Sequence, residues 1–309
     1  MKPLTYCVLA VSVLVVSTSS LLIRVIQAEH VSSLAIAFWR LAAASVFLWV
    51  FFGSQRKVRD ALQATTRKHY ALMFASGAFL ALHFASWIAS LAYTSVASST
   101  ALVSTNPVWL VIFSWLVLKE TPDRWIWFGV AASLLGSILI FSVDFSTTYA
   151  AGATAGQTSP GSSGLFGNAL ALFGSITVCG YLLIGRRLAH AISTPIYISV
   201  VFSSAALVML LIVLAAGVPL AGYSTTVWMA LAGLAIGPQL IGHGGISWSL
   251  RHLAPTMVAV AILGEPVASA LLAWWLLGES VGWLQGAGFV LIMAGIVLAA
   301  NSTAQPDRQ

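Results

Sequence analysis

Apolar runs of about twenty residues, separated by short polar stretches, follow one another along the whole chain. A helix needs about 20 mostly apolar residues to cross a bilayer. Ten segments meet that length: 4–26, 34–53, 70–92, 98–118, 125–143, 164–184, 195–216, 226–248, 254–277 and 282–301. Most connections between them are short. Two are longer: the basic stretch 54–69, and 144–163, whose Gly, Ser, Thr and Ala content predicts a flexible linker. The first run follows Lys2 and passes through Ser17-Thr18-Ser19-Ser20, in the manner of a secretion signal. Its apolar character continues through Ile26, which is too long for a signal core of about 7–15 residues. It reads as an uncleaved first span.

The pattern is also duplicated. Residues 90–140 align without a gap to 249–299 at a constant offset of 159, with ten identities in 51 positions. The Leu, Val, Ser and Gly matches are cheap in apolar sequence. Pro107 with Pro266, Trp115 with Trp274 and Glu120 with Glu279 in one register are not. Gly129 meets Gly288 and Gly136 meets Gly295. A duplicated membrane unit predicts a transporter with its site at the interface of the two copies. The expected organisation is a first repeat over 1–143, an extracytoplasmic linker over 144–163, a second repeat over 164–301 and a cytoplasmic tail over 302–309.

Charge sets the direction of the spans. Only 7% of the residues are charged and 59% are hydrophobic, against about 25% charged in a soluble domain. Such a composition cannot make a water-soluble surface. With a cytoplasmic N-terminus, the cytoplasmic segments hold Lys2, Arg56, Lys57, Arg59, Arg67, Lys68, Lys119, Arg124, Arg186, Arg187, Arg251 and Arg308, and the opposite loops hold no Lys or Arg. This bias predicts cytoplasmic termini and explains the net charge of +6 without nucleic acid. Five spans per half is an odd number, so the second copy enters upside down. Lys119 and Arg124 flank Glu120, whereas Gly278 and Trp283 stand at the matching places around Glu279. The predicted fold is an all-α integral membrane protein of ten transmembrane helices in two inverted five-helix repeats.

Taken in order, Ala37-Phe38-Trp39-Arg40, Thr105-Asn106-Pro107 running to Leu118-Lys119-Glu120, and Gly264-Glu265-Pro266 running to Gly278-Glu279 resemble the EamA family of the drug/metabolite transporter superfamily. Leu82-His83-Phe84 and Gly242-His243-Gly244 are similar to a bacterial subgroup of it. The resemblance implies movement of a small metabolite such as an amino acid, sugar or drug. It also implies ten helices around a central cavity and a bacterial inner-membrane location.

A charge at the centre of a membrane helix costs about 2.5–3.5 kcal/mol on insertion scales and therefore faces a partner or a wet cavity. Glu265 is the one carboxylate well inside a predicted span, and Pro266 beside it breaks the helix. It suits a cationic group, a proton, or a structural partner for Arg40. Asn106 is its repeat mate, with Pro107 as the matching break. Arg40 suits a substrate carboxylate or an ion pair, whereas Arg24 lies nearer a span end, where its stem can snorkel. His83 and His243, offset by 160, occupy matched spans and suit hydrogen bonding or titration. Helical spacing puts His83, Trp87 and Ser90 on one face of the third span, and Gln239, His243 and Ser247 on one face of the eighth. These two stripes are the predicted cavity walls.

Glu120 and Glu279 stand at helix ends before Thr121 and Ser280 and read as structural. The glycines of the fifth and tenth spans suit close helix packing, and a monomer or homodimer fits. Cys7 and Cys179 lack metal-ligand spacing and read as packed thiols.

No Walker A motif is present, so ATP does not drive transport through this chain. No cofactor or metal is expected. The leading expectation is a secondary transporter, an exporter of a small polar or amphipathic metabolite, that works by alternating access, with proton coupling resting on Glu265 and the histidines. A passive channel with the same cavity is the alternative. An intramembrane metal enzyme built on His83, His243 and Glu265 is a more distant one.

Overall fold

The structure is a computed structural model. It describes residues 2–106, 108–109, 112–113, 116, 124–150, 160–188, 191–249, 261–262, 264–278 and 281–302, with backbone alone for 2–3, 126, 140–150, 160–163, 186, 247, 296 and 299–302. Pro107, Trp115, Lys119, Glu120, Arg251 and Glu279 lie outside the described residues, as does the middle of the expected linker.

All regular elements among the described residues are helices. In chain order they are α1 Lys2–Ser17, α2 Ser19–Ala28, α3 Ser33–Phe52, α4 Arg56–Ala64, α5 Arg67–Ser90, α6 Val96–Val103, α7 Arg124–Ala150, α8 Pro160–Leu188, α9 Thr194–Ala215 and α10 Thr225–Leu234. A π-helix follows over Ala235–His243, then α11 Gly244–Ser249, α12 Gly264–Leu277 and α13 Trp283–Ser302. Local chemistry marks several ends. Thr66, Ser95 and Ser224 cap α5, α6 and α10 by accepting the backbone N–H of His69, Ser98 and Val227. Pro195 sits in the first turn of α9, and Gly217 takes φ +63° just beyond its end.

Among the described residues, six helical stretches are long and apolar enough to cross a membrane: Leu4–Ala28, Ser33–Phe52, Arg67–Ser90, Gly164–Gly185, Thr194–Ala215 and Thr225–Ile246. Trp127–Leu139 and Trp283–Gly295 are shorter apolar helices. Large apolar side chains such as Val46, Phe51, Leu211 and Trp275 stay exposed, as a lipid-facing surface requires.

Several elements differ from the sequence expectation. The first span breaks at Thr18, where α1 gives way to α2. The basic connection 54–69 contains α4, whose Val58 is buried while Arg56, Lys57 and Arg59 are exposed. The eighth span is α-helical at its ends and π-helical over 235–243, with Pro238 inside the wide turns. Proline has no N–H to give the ladder, and a π-turn is one way to absorb that loss. Helix continues to Ala150 and resumes at Pro160, on both sides of the expected linker's centre.

The packing is two-fold. A Cβ built on Gly136 of α7 would stand 2.5 Å from the carbonyl oxygen of Gly288 on α13. One built on Gly295 would stand 2.5 Å from the carbonyl oxygen of Gly129. Between these contacts, Ser133 Oγ donates to the carbonyl of Ile292 at 3.4 Å, and those two residues are 159 apart. Each contact is the image of the other under the repeat offset, and Ser133–Ile292 lies on the axis. Positions rise along α7 as they fall along α13, so the mates run antiparallel. The same exchange maps α5 packed on α8 to the π-segment packed on α1.

Candidate functional site

The break in the first span supplies the site's first polar group. Thr18 turns its hydroxyl back onto the carbonyl of Val15 at 2.7 Å, and Ser17 onto that of Val13 at 2.8 Å. Such back-bonding bends helices. Just past the bend, Ser19 Oγ accepts a hydrogen bond from Arg40 Nη1 at 2.9 Å. The bend also meets α12: Ser269 Oγ donates to the carbonyl of Ser17 at 3.1 Å, and Ser17 Oγ reaches the carbonyl of Glu265 at 3.4 Å.

Arg40 lies in the second turn of α3 and is wholly buried. Its Nε donates to Gln239 Oε1 at 2.6 Å, a bond that joins the first half of the chain to the π-segment of the second. The guanidinium lies 4.1 Å from the centre of the Phe84 ring and 5.7 Å from that of Trp87, both on α5. These are cation–π distances. Among the described residues its Nη2 has no hydrogen-bond partner, and neither has Trp87 Nε1, although both atoms are buried. No carboxylate of a described residue lies within 4.0 Å of Arg40. Glu265, in the first turn of α12, is near enough for its charge to act on Arg40 but forms no ion pair with it.

The histidines close the cluster. His83 stacks on Trp87, with ring centres 6.1 Å apart and planes at 9°. Its Nδ1 is 2.9 Å from the carbonyl of Gly174 on α8. A carbonyl can only accept, so Nδ1 carries hydrogen, and in neutral imidazole Nε2 is left as an acceptor. Gly174 suits this approach, because a Cβ there would already meet Ser86 Oγ at 3.1 Å. His243 ends the π-segment and sets its ring edge-on to Phe84 at 6.0 Å.

The sequence-predicted residues therefore separate. Arg40, His83, Trp87, Gln239 and His243 come together, with Glu265 alongside. Ser90 instead ties α5 to α6 through Ser99 Oγ at 2.6 Å. Asn106 donates back to the carbonyl of Val103 at 3.3 Å, and its own carbonyl takes the Cys179 thiol at 3.3 Å. Pro266 is buried in the first turn of α12. Ser247 lies on α11, with its side chain outside the described ones. The α-helical stripe drawn through Gln239, His243 and Ser247 needs correction, because its first two members sit on π-helix. Arg24 donates to the carbonyl of Thr94 at 2.8 Å. Among the described residues no three of His, Cys, Asp and Glu gather as a metal-holding group.

Sequence reasoning missed Ser17, Ser19, Phe84, Gly174 and Ser269. The signal for the serines was present as a polar run inside an apolar helix. The signal for the π-segment was Pro238 behind Gly237.

Comparison with known proteins extends this picture. A family model described as the EamA-like transporter family matches residues 3–142 and 165–301, one match on each repeat. A protein of Clostridium kluyveri named an uncharacterized transporter is 21% identical over 211 residues, which is 68% of this chain and 65% of that relative's length. A crystal structure superposes with a TM-score of 0.60 at 18% identity, covering 97% of this chain and 99% of its own. At that identity the likeness concerns the fold alone.

Proposed function

Because the chain belongs to the EamA-like transporter family, we propose that this multi-pass membrane protein is a secondary active transporter, an exporter of a small polar or amphipathic metabolite. Ten spans form two inverted repeats in the bacterial plasma membrane, with both termini cytoplasmic. The Arg40–Gln239 bond carries this reading. It joins a charged residue of one half to the irregular helix of the other. Rocking the halves apart breaks that bond and opens the site to one face at a time. The adjoining bend at Thr18 and the π-segment supply the conformational freedom, since π-turns cluster at working sites.

Glu265 is the coupling residue in this scheme. Glu265 carries a proton inward on the return step and gives it up before substrate engages at Arg40, so that the inward proton gradient drives export. Two proteoliposome measurements test the proposal. Counterflow of a labelled solute, saturating at low concentration, is the expected behaviour of a carrier. Flux without counterflow would identify a channel instead. An imposed pH gradient should change the rate for wild type and leave Glu265→Gln indifferent. A wild-type rate that ignores the gradient removes the coupling.

A further inference from the structure

We propose that Arg40 and Trp87 together form the anchor for a carboxylate on the transported molecule; this rests on the transporter reading above. Arg40 has five N–H donors in a rigid fork. Gln239 holds Nε from one side and Ser19 holds Nη1 from another. The fork is thereby fixed in place with Nη2 left over. Trp87 is 4% exposed, its ring centre is 5.7 Å from the guanidinium carbon, and its Nε1 is likewise left over. Two buried donors, one of them cationic, thus belong to neighbouring side chains. Neither has an acceptor among the described residues.

Buried donors are almost always satisfied, and an unsatisfied one is costly. The fitting ligand is an acceptor-only group with more than one oxygen and a negative charge. A carboxylate meets all three conditions. Arginine forks match carboxylates in two-point geometry. The neutral partners already on Arg40 fit the same reading. Gln239 and Ser19 orient the guanidinium without neutralising it, and Glu265 stays out of ion-pair range. Phe84 closes one face of the guanidinium at 4.1 Å, so the ligand arrives at its edge.

The test uses the full chain, purified and in proteoliposomes. α-Amino acids, monocarboxylates from acetate to phenylacetate and dicarboxylates such as succinate are each paired with their primary amides. Thermal denaturation is read first, and counterflow is then measured for each stabilising compound. At least one acid should raise the denaturation midpoint while its amide does not. Arg40→Gln and Trp87→Phe should each weaken that acid on the order of 10- to 100-fold, the loss expected for a hydrogen bond to a charged group. Trp87→Phe keeps an aromatic ring against His83 and removes the N–H donor, so it decides the matter if Arg40→Gln fails to fold.

Equal stabilisation by acid and amide overturns the assignment. So does an absence of stabilisation by any acid, or acid affinity unchanged in Trp87→Phe. Counterflow of a carboxylate-free solute indifferent to both variants sinks the carboxylate anchor but leaves the transporter reading intact. Acid binding that both variants weaken, with no counterflow for any compound, upholds the anchor and sinks the carrier.

Discussion

Arg40 poses the main energetic question at the scale of single residues. An ionised group taken fully out of water is tolerated only when it is hydrogen-bonded and its charge is answered. Here Gln239, Ser19 and the Phe84 ring answer it, and all are neutral. Neutral partners hold the guanidinium less firmly than a carboxylate would, which suits a contact proposed to break in each transport cycle. Two substitutions at Gln239 separate holding from releasing. Gln239→Leu leaves Nε–H buried and unpartnered. It should lower stability by about 1.5–3 kcal/mol, the worth of a hydrogen bond to a charged group, and reduce transport as well. Gln239→Glu places a carboxylate 2.6 Å from Nε. A carboxylate there answers the charge of an arginine that is already buried, so this variant should denature at a higher temperature and yet transport more slowly. Melting curves alongside proteoliposome flux read both effects. A Gln239→Glu protein that transports at the wild-type rate would mean the contact stays closed throughout the cycle.

The informative elements are those in which two helices share an axis or one helix departs from α geometry. The α7–α13 pair gives a symmetric prediction. Gly136 and Gly295 face each other's helix backbone at equal distance, and no side chain fits at either place. Gly136→Ala and Gly295→Ala should therefore destabilise by similar amounts, about 1–3 kcal/mol each, as over-packing does. Gly286→Ala on the same helix meets nothing within 4 Å and should be near neutral. Unequal losses at 136 and 295, measured by denaturant unfolding in detergent, would mean that the axis does not run between them. This register was legible in the sequence, because glycine spacing and the offset of 159 are both covalent facts. Arg40, His83 and Gln239 were legible too, since polar side chains stand out against an apolar background. The bend at Thr18 and the π-turns were not. Serine and threonine are tolerated throughout membrane helices, and only the tertiary partners Arg40 and Ser269 make Ser19 and Ser17 matter. Asn106 and Glu265 show the opposite case. The repeat pairs them in sequence, but each carbonyl bonds a different first helix, to Cys179 and Ser17 respectively.

For the molecule as a whole, described residues of the two halves also meet on either side of the site, in contacts that would serve as seals. At the end whose loops carry no Lys or Arg, Trp39 Nε1 donates to the carbonyl of Leu220 at 3.0 Å, and Trp39 meets Trp228 edge-on at 5.0 Å. Glu29 there accepts the Ser224 hydroxyl at 2.5 Å. Towards the basic end, Ser76 Oγ and Tyr197 Oη are 2.7 Å apart across α5 and α9, and α4 lies against α9. A carrier must open one seal while it keeps the other, so tethering one seal should stop the cycle without disturbing the site. The Glu29–Ser224 contact is exposed and suits a tether. In a Cys7→Ser background, which removes the exposed native thiol, Glu29→Cys with Ser224→Cys should accept a short cleavable bis-maleimide. Crosslinking should cut counterflow to background, and cleavage of the linker should restore it, with the midpoint shift for a bound acid retained throughout. On the orientation proposed above, impermeant reagent should reach both cysteines in intact cells. Full counterflow in the tethered protein would show that this end does not open, and transport would then need a route other than a rocking of the halves about Arg40.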